Sequence, residues 1–428
     1  MVDRQLLSDL HRRGLVHQVS EGDELGRLME SQSISFYCGF DPTADSLHLG
    51  SLKPLVTMMR FQRAGHRPIA LVGGATGLVG DPSFKAAERG LNAQELVQAW
   101  SAKLRDQIAP FLDFEGAAAA RIVNNYDWLG NMGLIEFLRD VGKQFSVSAM
   151  LRKDSVRQRL DRENAGMSFA EFSYSLLQGY DFLELRKRHG CVLQLGGSDQ
   201  WGNILAGVDL IRRQLQEQCF GLTLPLVTTQ SGEKFGKTEK GAIWLDAAKT
   251  SPFALYQYLQ GVTDADVYRY LADFTFLTME EIGELEQADA ETDGRLLAQR
   301  LLAESVVELV HGPKQLASVK RIANALFGED LGQLTADDLA QLGMDGMPSA
   351  SLETGSSATV IDVMQTLGLA RSKSEARQLV ASGAVLVNGQ RCMNPKQFAK
   401  DCSALYDRYL LVRKGKSNHG LVQWEAPA

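Results

Sequence analysis

The stretch Cys38-Gly39-Phe40-Asp41-Pro42-Thr43-Ala44-Asp45-Ser46-Leu47-His48-Leu49-Gly50-Ser51 decides the fold. A β-rich run over 34–39 leads into it and a helical pattern over 47–64 follows, so it reads as a strand-to-helix turn. Ser46 or Asp45 is expected to cap the helix, which puts His48 in the first turn. There the free backbone N–H groups and the helix dipole favour an anion. Gly50 leaves room for a bulky group against the backbone, and Pro54 is expected to kink the helix further on.

The alternation continues on both sides. Strands are expected at 69–73, 121–124, 192–195 and 224–228, with helices over 92–108, 132–142, 168–187 and 200–216. Such an order predicts an α/β fold, a Rossmann-like, mostly parallel sheet with helices on both faces. Ligands in these sheets bind beyond the carboxyl ends of the strands, which singles out the loops 39–49, 73–81 and 196–200. The expected organisation is an α/β domain at 1–250, an α-helical domain at 251–325, a linker at 326–357 and a small α+β domain at 358–428. The helical domain opens at Ser251-Pro252, proline being tolerated in a first turn, and the linker is rich in Gly, Ser and Asp.

With 428 residues and 44% hydrophobic content the chain has material for several cores. No run of about 18 uncharged apolar residues predicts a membrane span, and no signal peptide is legible. Five scattered cysteines fit reduced thiols in a cytoplasm, and no metal-ligand spacing is present. The net charge of −7 hides an asymmetry: from residue 357 onward ten basic side chains face five acidic ones. A basic tail on an acidic body predicts a polyanionic partner for the tail.

Three further motifs carry chemistry. Lys234-Phe235-Gly236-Lys237-Thr238 places two lysines on a glycine-flanked loop that is expected to close on a pyrophosphate. Gly232 to Thr238 nearly spells a P-loop, but three residues separate the glycines where four are needed, and an extended run at 243–245 follows in place of a helix. Ser168-Phe-Ala-Glu171 is a capping box, after which Tyr174, Gln178 and Asp181 share one helix face. Gln194-Leu-Gly-Gly197-Ser-Asp199-Gln200 leaves a strand, with glycines for close backbone contact and Asp199 as an acceptor for ribose hydroxyls. The glycine-rich run at 73–80 does not fit a dinucleotide fingerprint.

Taken in this order, the stretches resemble the class I aminoacyl-tRNA synthetases. The segment 38–51 is similar to the HIGH signature, and 234–238 is similar to KMSKS in a KFGKT form. With Tyr37 ahead of the first signature, the resemblance is to the bacterial form of the tyrosyl branch and covers the whole chain. One departure stands at position 51, where the second signature histidine is replaced by Ser51, whose hydroxyl has no cationic form.

The resemblance implies ATP-dependent charging of tRNA(Tyr) with L-tyrosine through a tyrosyl-adenylate. ATP is then a substrate, Mg²⁺ is held through the pyrophosphate, and no permanent cofactor is needed. Thr43, His48, Lys234, Lys237 and Thr238 are the implied catalytic residues. Tyr174, Gln178 and Asp81 are expected to take the ammonium of tyrosine, Asp181 and Tyr37 its phenol, with Gln194 and Gln200 nearby. Cys38, Gly39, Asp41, Gly50, Gly197, Asp199 and Lys237 are assigned to ATP. The clusters Arg152, Lys153, Arg157, Arg159, Arg162 and Arg212, Arg213 are assigned to the tRNA acceptor stem. Arg371, Lys373 and Arg377 belong to a tail that looks like a small RNA-binding module. A homodimer is implied, with 131–147 as the candidate contact. The competing readings are a P-loop-type RNA-dependent NTPase, an RNA-binding protein that lost the chemistry, and a tryptophan-specific relative, which the Tyr37/Asp181 pair disfavours.

Overall fold

A computed structural model describes residues 2–83, 92–153, 156–157, 160, 167–238, 241–291, 297–327, 333–345, 347–415 and 418–425, with backbone alone for 237 and 238. Arg159 and Arg162 lie outside the described residues. The chain forms two compact units, Met1–Asp246 with Thr263–Ala298, and Ala247–Val262 with Gln299–Ala428.

The first unit is built on a six-stranded sheet: β1 (Gln18–Val19), β2 (Ser35–Phe40), β3 (Arg67–Val72), β4 (Arg121–Asn124), β5 (Cys191–Gly197) and β6 (Phe220–Leu224). Their order is β1-β6-β5-β2-β3-β4, with β2 to β6 parallel and β1 antiparallel at the edge. The chain runs outward from β2 to β4, then returns to the other side of β2 with β5. That reversal opens a crevice beyond the carboxyl ends of β2 and β5. Continuous apolar runs such as Phe36-Tyr37-Cys38 and Ile69-Ala70-Leu71-Val72 are buried, as strands covered on both faces require.

Several local expectations shift. The last parallel strand is Phe220–Leu224, not 224–228, because Pro225 has no N–H to donate to a ladder. Neither Ser46 nor Asp45 caps a helix. The Ser46 hydroxyl instead donates to the Leu47 carbonyl at 2.9 Å, and Asp45 pairs with Lys103 at 3.1 Å. His48 precedes a single turn at Leu49–Ser51 in extended conformation, and the helix proper is Leu52–Arg63. Pro54 therefore falls in a first turn, where its missing N–H has no intrahelical acceptor, and the helix continues past it. The stretch 132–142 resolves into a turn at Leu134–Glu136 and a π-turn at Phe137–Val141.

The capped helix is Phe169–His189. The Ser168 hydroxyl accepts from the Glu171 N–H at 3.2 Å, and Gly190 ends it at φ 62°. Tyr174, Gln178 and Asp181 share a face as expected and are all buried, so that face is not turned to solvent. The helices Asp264–Phe274 and Met279–Ala290 belong to the first compact unit, so the cut expected at 250 does not separate them. Arg60 and Arg13 explain this: both donate to the Ala272 carbonyl, Arg60 also to Thr275 and Arg13 to Leu277.

The helix Leu297–Phe327, which belongs to the second unit from Gln299 onward, breaks at Gly312 (φ 82°), ahead of Pro313. The segment expected as a linker holds the helix Ala336–Met344 and the strand Ser349–Glu353. Fully buried Asp338 fixes the former, accepting from Arg321 at 3.0 Å. The latter is the edge of a five-stranded sheet, parallel to Asn418–Glu425. Ile361, Val363, Met364, Leu367 and Leu369 form the tail core, as the sequence implied. The hairpin turns at Asn388-Gly389, both at positive φ.

Candidate functional site

A cavity of about 330 Å³ opens at the crevice beyond β2 and β5. Tyr37, Cys38 and Gly39 enter it from β2, and Asp41, Thr43, His48, Gly50 and Ser51 from the following loop. The helix Phe169–His189 contributes Tyr174, Gln178 and Asp181, β5 contributes Gln194 and Gly197, and Asp81 and Gln200 close the rim. Residues chosen from four separate stretches thus line one space.

The floor is a hydrogen-bonded network. Asp181 is 1% exposed and accepts from Trp128 Nε1 at 2.7 Å and Asn125 Nδ2 at 3.0 Å. Asn125 also donates to Thr76 Oγ1, which donates to Asp41 Oδ1 at 2.7 Å, while the Tyr174 hydroxyl donates to Asp41 Oδ2 at 2.6 Å. The rim is a second network, in which Gln200 Nε2 donates to Asp81 Oδ2 at 2.7 Å and Asn203 reaches both Ser83 and Gln200. Gly73 leaves no room for a Cβ against Asp41 and Thr76, so the loop after β3 needs glycine there.

Burial sets the protonation of this floor. It pushes the Asp181 carboxyl up to about 8 against the opposing pull of Asn125 and Trp128. The phenols of Tyr37 and Tyr174 are raised well above the ordinary tyrosine range, first by burial, so both stay neutral donors. Burial pushes the Cys38 thiol up to about 12, which makes it a neutral polar wall and no nucleophile. Two buried atoms, the Tyr37 hydroxyl and Gln194 Oε1, have no hydrogen-bond partner among the described residues. Orphaned polar atoms on the wall of a polar cavity suit a ligand that carries its own donors and acceptors.

Asn125, Trp128 and Thr76 were not found from the sequence. The first two sit just beyond β4, whose carboxyl end points to the same crevice, and that position was the available signal. Asp41, expected at the nucleotide, is bound to Tyr174, expected at the amino acid, so the two groups share a wall.

Among the described residues of the 234–238 loop, Lys234, Phe235 and Gly236 do not line the cavity. Lys234 is exposed, in a backbone bridge to Thr228, and the side chains of Lys237 and Thr238 lie outside the described residues. The backbone nonetheless ties the two signature stretches together: Ile243 N–H donates to the Gly236 carbonyl at 2.8 Å, Leu49 N–H to Ile243 and Leu245 N–H to Leu47. Phe235 is buried against Tyr270, ring centroids 4.2 Å apart.

Of the basic residues, Arg152 and Lys153 line a second cavity of about 530 Å³ with Asp199 and Trp201. Lys153 Nζ is buried without a hydrogen-bond partner among the described residues, and burial pushes its pKa down to about 8. Arg157 is exposed, Arg212 pairs with Asp209 at 2.7 Å, and Arg213 donates to the Gln144 carbonyl. In the tail Arg371 and Arg377 are exposed and Lys373 pairs with Asp362 at 2.7 Å.

Residues 29–328 match the family profile of the class I tRNA synthetases (W and Y), and residues 338–422 match that of the SYY-like C-terminal domain of tyrosine–tRNA ligase. The tyrosine–tRNA ligase of Chromobacterium violaceum is 55% identical over 425 residues, covering 99% of this chain and 100% of that protein. That of Dechloromonas aromatica is 54% identical over the same coverage. Among solved structures, a C-terminally truncated mitochondrial tyrosyl-tRNA synthetase from Aspergillus nidulans is 34% identical, with a TM-score of 0.68 over 75% of this chain and 94% of that one.

Proposed function

The chain belongs to the class I tRNA synthetases of the tryptophan and tyrosine branch, and from that premise we propose that it joins L-tyrosine to tRNA(Tyr) with ATP through a tyrosyl-adenylate. The observation that carries the amino-acid choice is the buried pair of Tyr37 and Asp181 on the wall of one cavity. A phenolic hydroxyl satisfies the orphaned Tyr37 hydroxyl and adds to the bonds Asp181 accepts from Asn125 and Trp128. Phenylalanine leaves the Tyr37 hydroxyl unpaired, at a cost of about 1–3 kcal/mol. The tyrosyl branch is itself the standard example of such discrimination achieved without editing. An indole has no oxygen to place between them, which favours tyrosine over tryptophan.

In the first step a carboxylate oxygen of tyrosine attacks the α-phosphorus of ATP. The bond to the bridging oxygen breaks and pyrophosphate leaves with its electron pair. The attacking group is already anionic, so no general base is required, and catalysis comes from positioning and from charge stabilisation. Gln178, Asp81 and Tyr174 hold the ammonium end, with Gln194 and Gln200 beside it. Cys38, Gly39, Asp41, Gly50, Gly197 and Asp199 bound the adenosine and its ribose. Thr43 and His48 face the phosphates from one side, and Lys234, Lys237 and Thr238 approach from the other on a loop joined by backbone to 47–49. Mg²⁺ bound to the triphosphate as part of the substrate would supply further charge neutralisation. The acidic residues of the cavity are already engaged, Asp41 by Tyr174 and Thr76, Asp81 by Gln200. In the second step a terminal ribose hydroxyl of the tRNA attacks the acyl carbon and AMP leaves.

Arg152, Lys153, Arg157, Arg212 and Arg213 are proposed to meet the acceptor stem, and Arg371, Lys373 and Arg377 the RNA backbone, through salt-sensitive phosphate contacts. Leu134 and Ile135, 71% and 75% exposed in the 131–147 segment, support a second copy of the chain as the partner of that face. Five free thiols support a cytoplasmic setting. No helix among the described residues is long and apolar enough to cross a membrane.

The test is ATP–pyrophosphate exchange with each of the twenty amino acids in turn. Exchange driven by tyrosine alone is expected. Release of ADP and phosphate stimulated by RNA would establish the NTPase reading instead.

A further inference from the structure

Lys53 and Asp273 form an ion pair at 3.0 Å in which both side chains are almost fully buried, 5% and 3% exposed. Lys53 also lines the first cavity, two residues after Ser51. Burying two charges costs desolvation that their attraction repays only in good geometry, and an apolar pair of similar volume commonly packs as well. What an ion pair adds is a fixed distance and direction between the two elements that carry it.

Those elements are the Leu52–Arg63 helix, which leaves the His48 loop, and the Asp264–Phe274 helix. The second of these seats the other signature loop. Phe235 lies against Tyr270 and Phe274, with ring centroids 4.2 and 5.8 Å away. The Tyr270 hydroxyl donates to the Thr228 carbonyl at 2.8 Å, and Gln230 N–H donates to Asp266 at 3.2 Å, fixing the base of the loop. Arg60, one further cation on the first helix, holds the far end of the second through the Ala272 and Thr275 carbonyls. With its partner Lys53 lining the cavity, Asp273 thus lies on the helix whose Tyr270 and Phe274 seat Phe235. Burial works to raise its pKa, while Lys53 and the nearby arginines pull it back toward the ionised form.

We propose that Lys53 and Asp273 are positioning residues for the ATP half-reaction: their ion pair sets the register of the Asp264–Phe274 helix, and with it the Lys234–Thr238 loop, against the His48 loop. The inference rests on the reading of those two loops as the ATP-binding parts. The pair acts through the loop and not on substrate, so its loss should lower kcat for adenylate formation without touching the tyrosine site.

The test uses the full chain and the variants Lys53→Met/Asp273→Leu and Asp273→Asn, measuring melting temperature, tyrosine Kd and pyrophosphate exchange. The double variant replaces the pair by apolar groups of similar shape, so it is expected to melt at or above the parent temperature. Its tyrosine Kd is expected within about twofold of the parent and its exchange kcat lowered by about tenfold or more. Asp273→Asn keeps the shape and gives the same split if the double variant fails to fold. Parental exchange in a folded variant overturns the proposal. So does a tyrosine Kd that weakens in step with kcat, which would make the pair a general support of the pocket. The parent reports separately on the underlying reading, since a parent without tyrosine-dependent exchange refutes the function and not the coupling.

Discussion

Tyr37 on β2 and Gln194 on β5 are register partners across adjacent parallel strands, and each presents a buried polar atom with no hydrogen-bond partner among the described residues. Two neighbouring strands therefore hold unsatisfied groups at one end of the same cavity. Tyr37→Phe removes one of them without changing shape. The ligand-free protein is expected to be as stable or slightly more stable, because an unpaired buried hydroxyl costs free energy. Discrimination of tyrosine over phenylalanine is expected to shrink by about 1–2 kcal/mol, roughly 5- to 30-fold, read as the ratio of kcat/KM values in pyrophosphate exchange. An unchanged ratio would leave the hydroxyl with no part in recognition.

Asp181 predicts a pH dependence. Burial holds its carboxyl up to about 8, so at neutral pH the free pocket keeps it largely protonated. A phenol that donates to this group favours the ionised form and lowers its pKa, so binding releases a proton. Tyrosine affinity is expected to rise with pH up to about 8 and then level, a step that Asp181→Asn abolishes. Calorimetry in buffers of different ionisation enthalpy reads the proton directly. The stability sign is opposite to that of a salt-bridged carboxylate. Since the folded pKa lies above the unfolded one, this group makes the protein lose stability as pH rises from the unfolded value toward about 8, with no further change above it. A tyrosine affinity that is flat across this range would remove Asp181 as the phenol's partner.

The polar face of the Phe169–His189 helix was legible because Ser168 fixes the start and the helical period does the rest, bringing Tyr174, Gln178 and Asp181 together. The strand-end loops were legible from the doubly wound order alone. Trp128 and Asn125 were not, because their contact with Asp181 spans more than fifty residues and exists only once the sheet has placed β4 beside β3. The strand at Ser349–Glu353 escaped for a related reason. Ser-Ala-Ser-Leu-Glu has little intrinsic strand preference, and its structure comes from pairing with Asn418–Glu425. His48, expected in the first turn, instead precedes the turn Leu49–Ser51 in extended backbone, a difference finer than residue pattern can draw at a helix boundary.

His48 and Gly236 separate chemistry from binding. His48→Ala is expected to lower the rate of pyrophosphate exchange by about 2–4 kcal/mol in activation free energy, with tyrosine Kd nearly unchanged. Gly236 stands at φ 80°, and an added Cβ would lie 3.2 Å from Leu49 Cβ, so Gly236→Ala strains the backbone where the two signature stretches meet. The same split is expected for it, smaller in size and without any change in phenylalanine discrimination. An exchange rate equal to the parent's in either variant would take that position out of the mechanism.

The tail sheet predicts where the chain can be cut. A chain ending near 350 would leave part of Ser349–Glu353 without its partner Asn418–Glu425, an exposed edge open to aggregation. Ending it at 345 removes the strand but keeps the Ala336–Met344 helix, whose Asp338 is held by Arg321 and Ser318. That shortened chain is expected to retain tyrosine-dependent pyrophosphate exchange, because among the described residues none that lines the first cavity lies beyond 227. Aminoacylation of tRNA is expected to weaken, and its KM for tRNA to lose part of its salt dependence as Arg371, Lys373 and Arg377 are removed. Equal survival of both activities, with the same salt slope, would show that these tail residues do not bind the RNA.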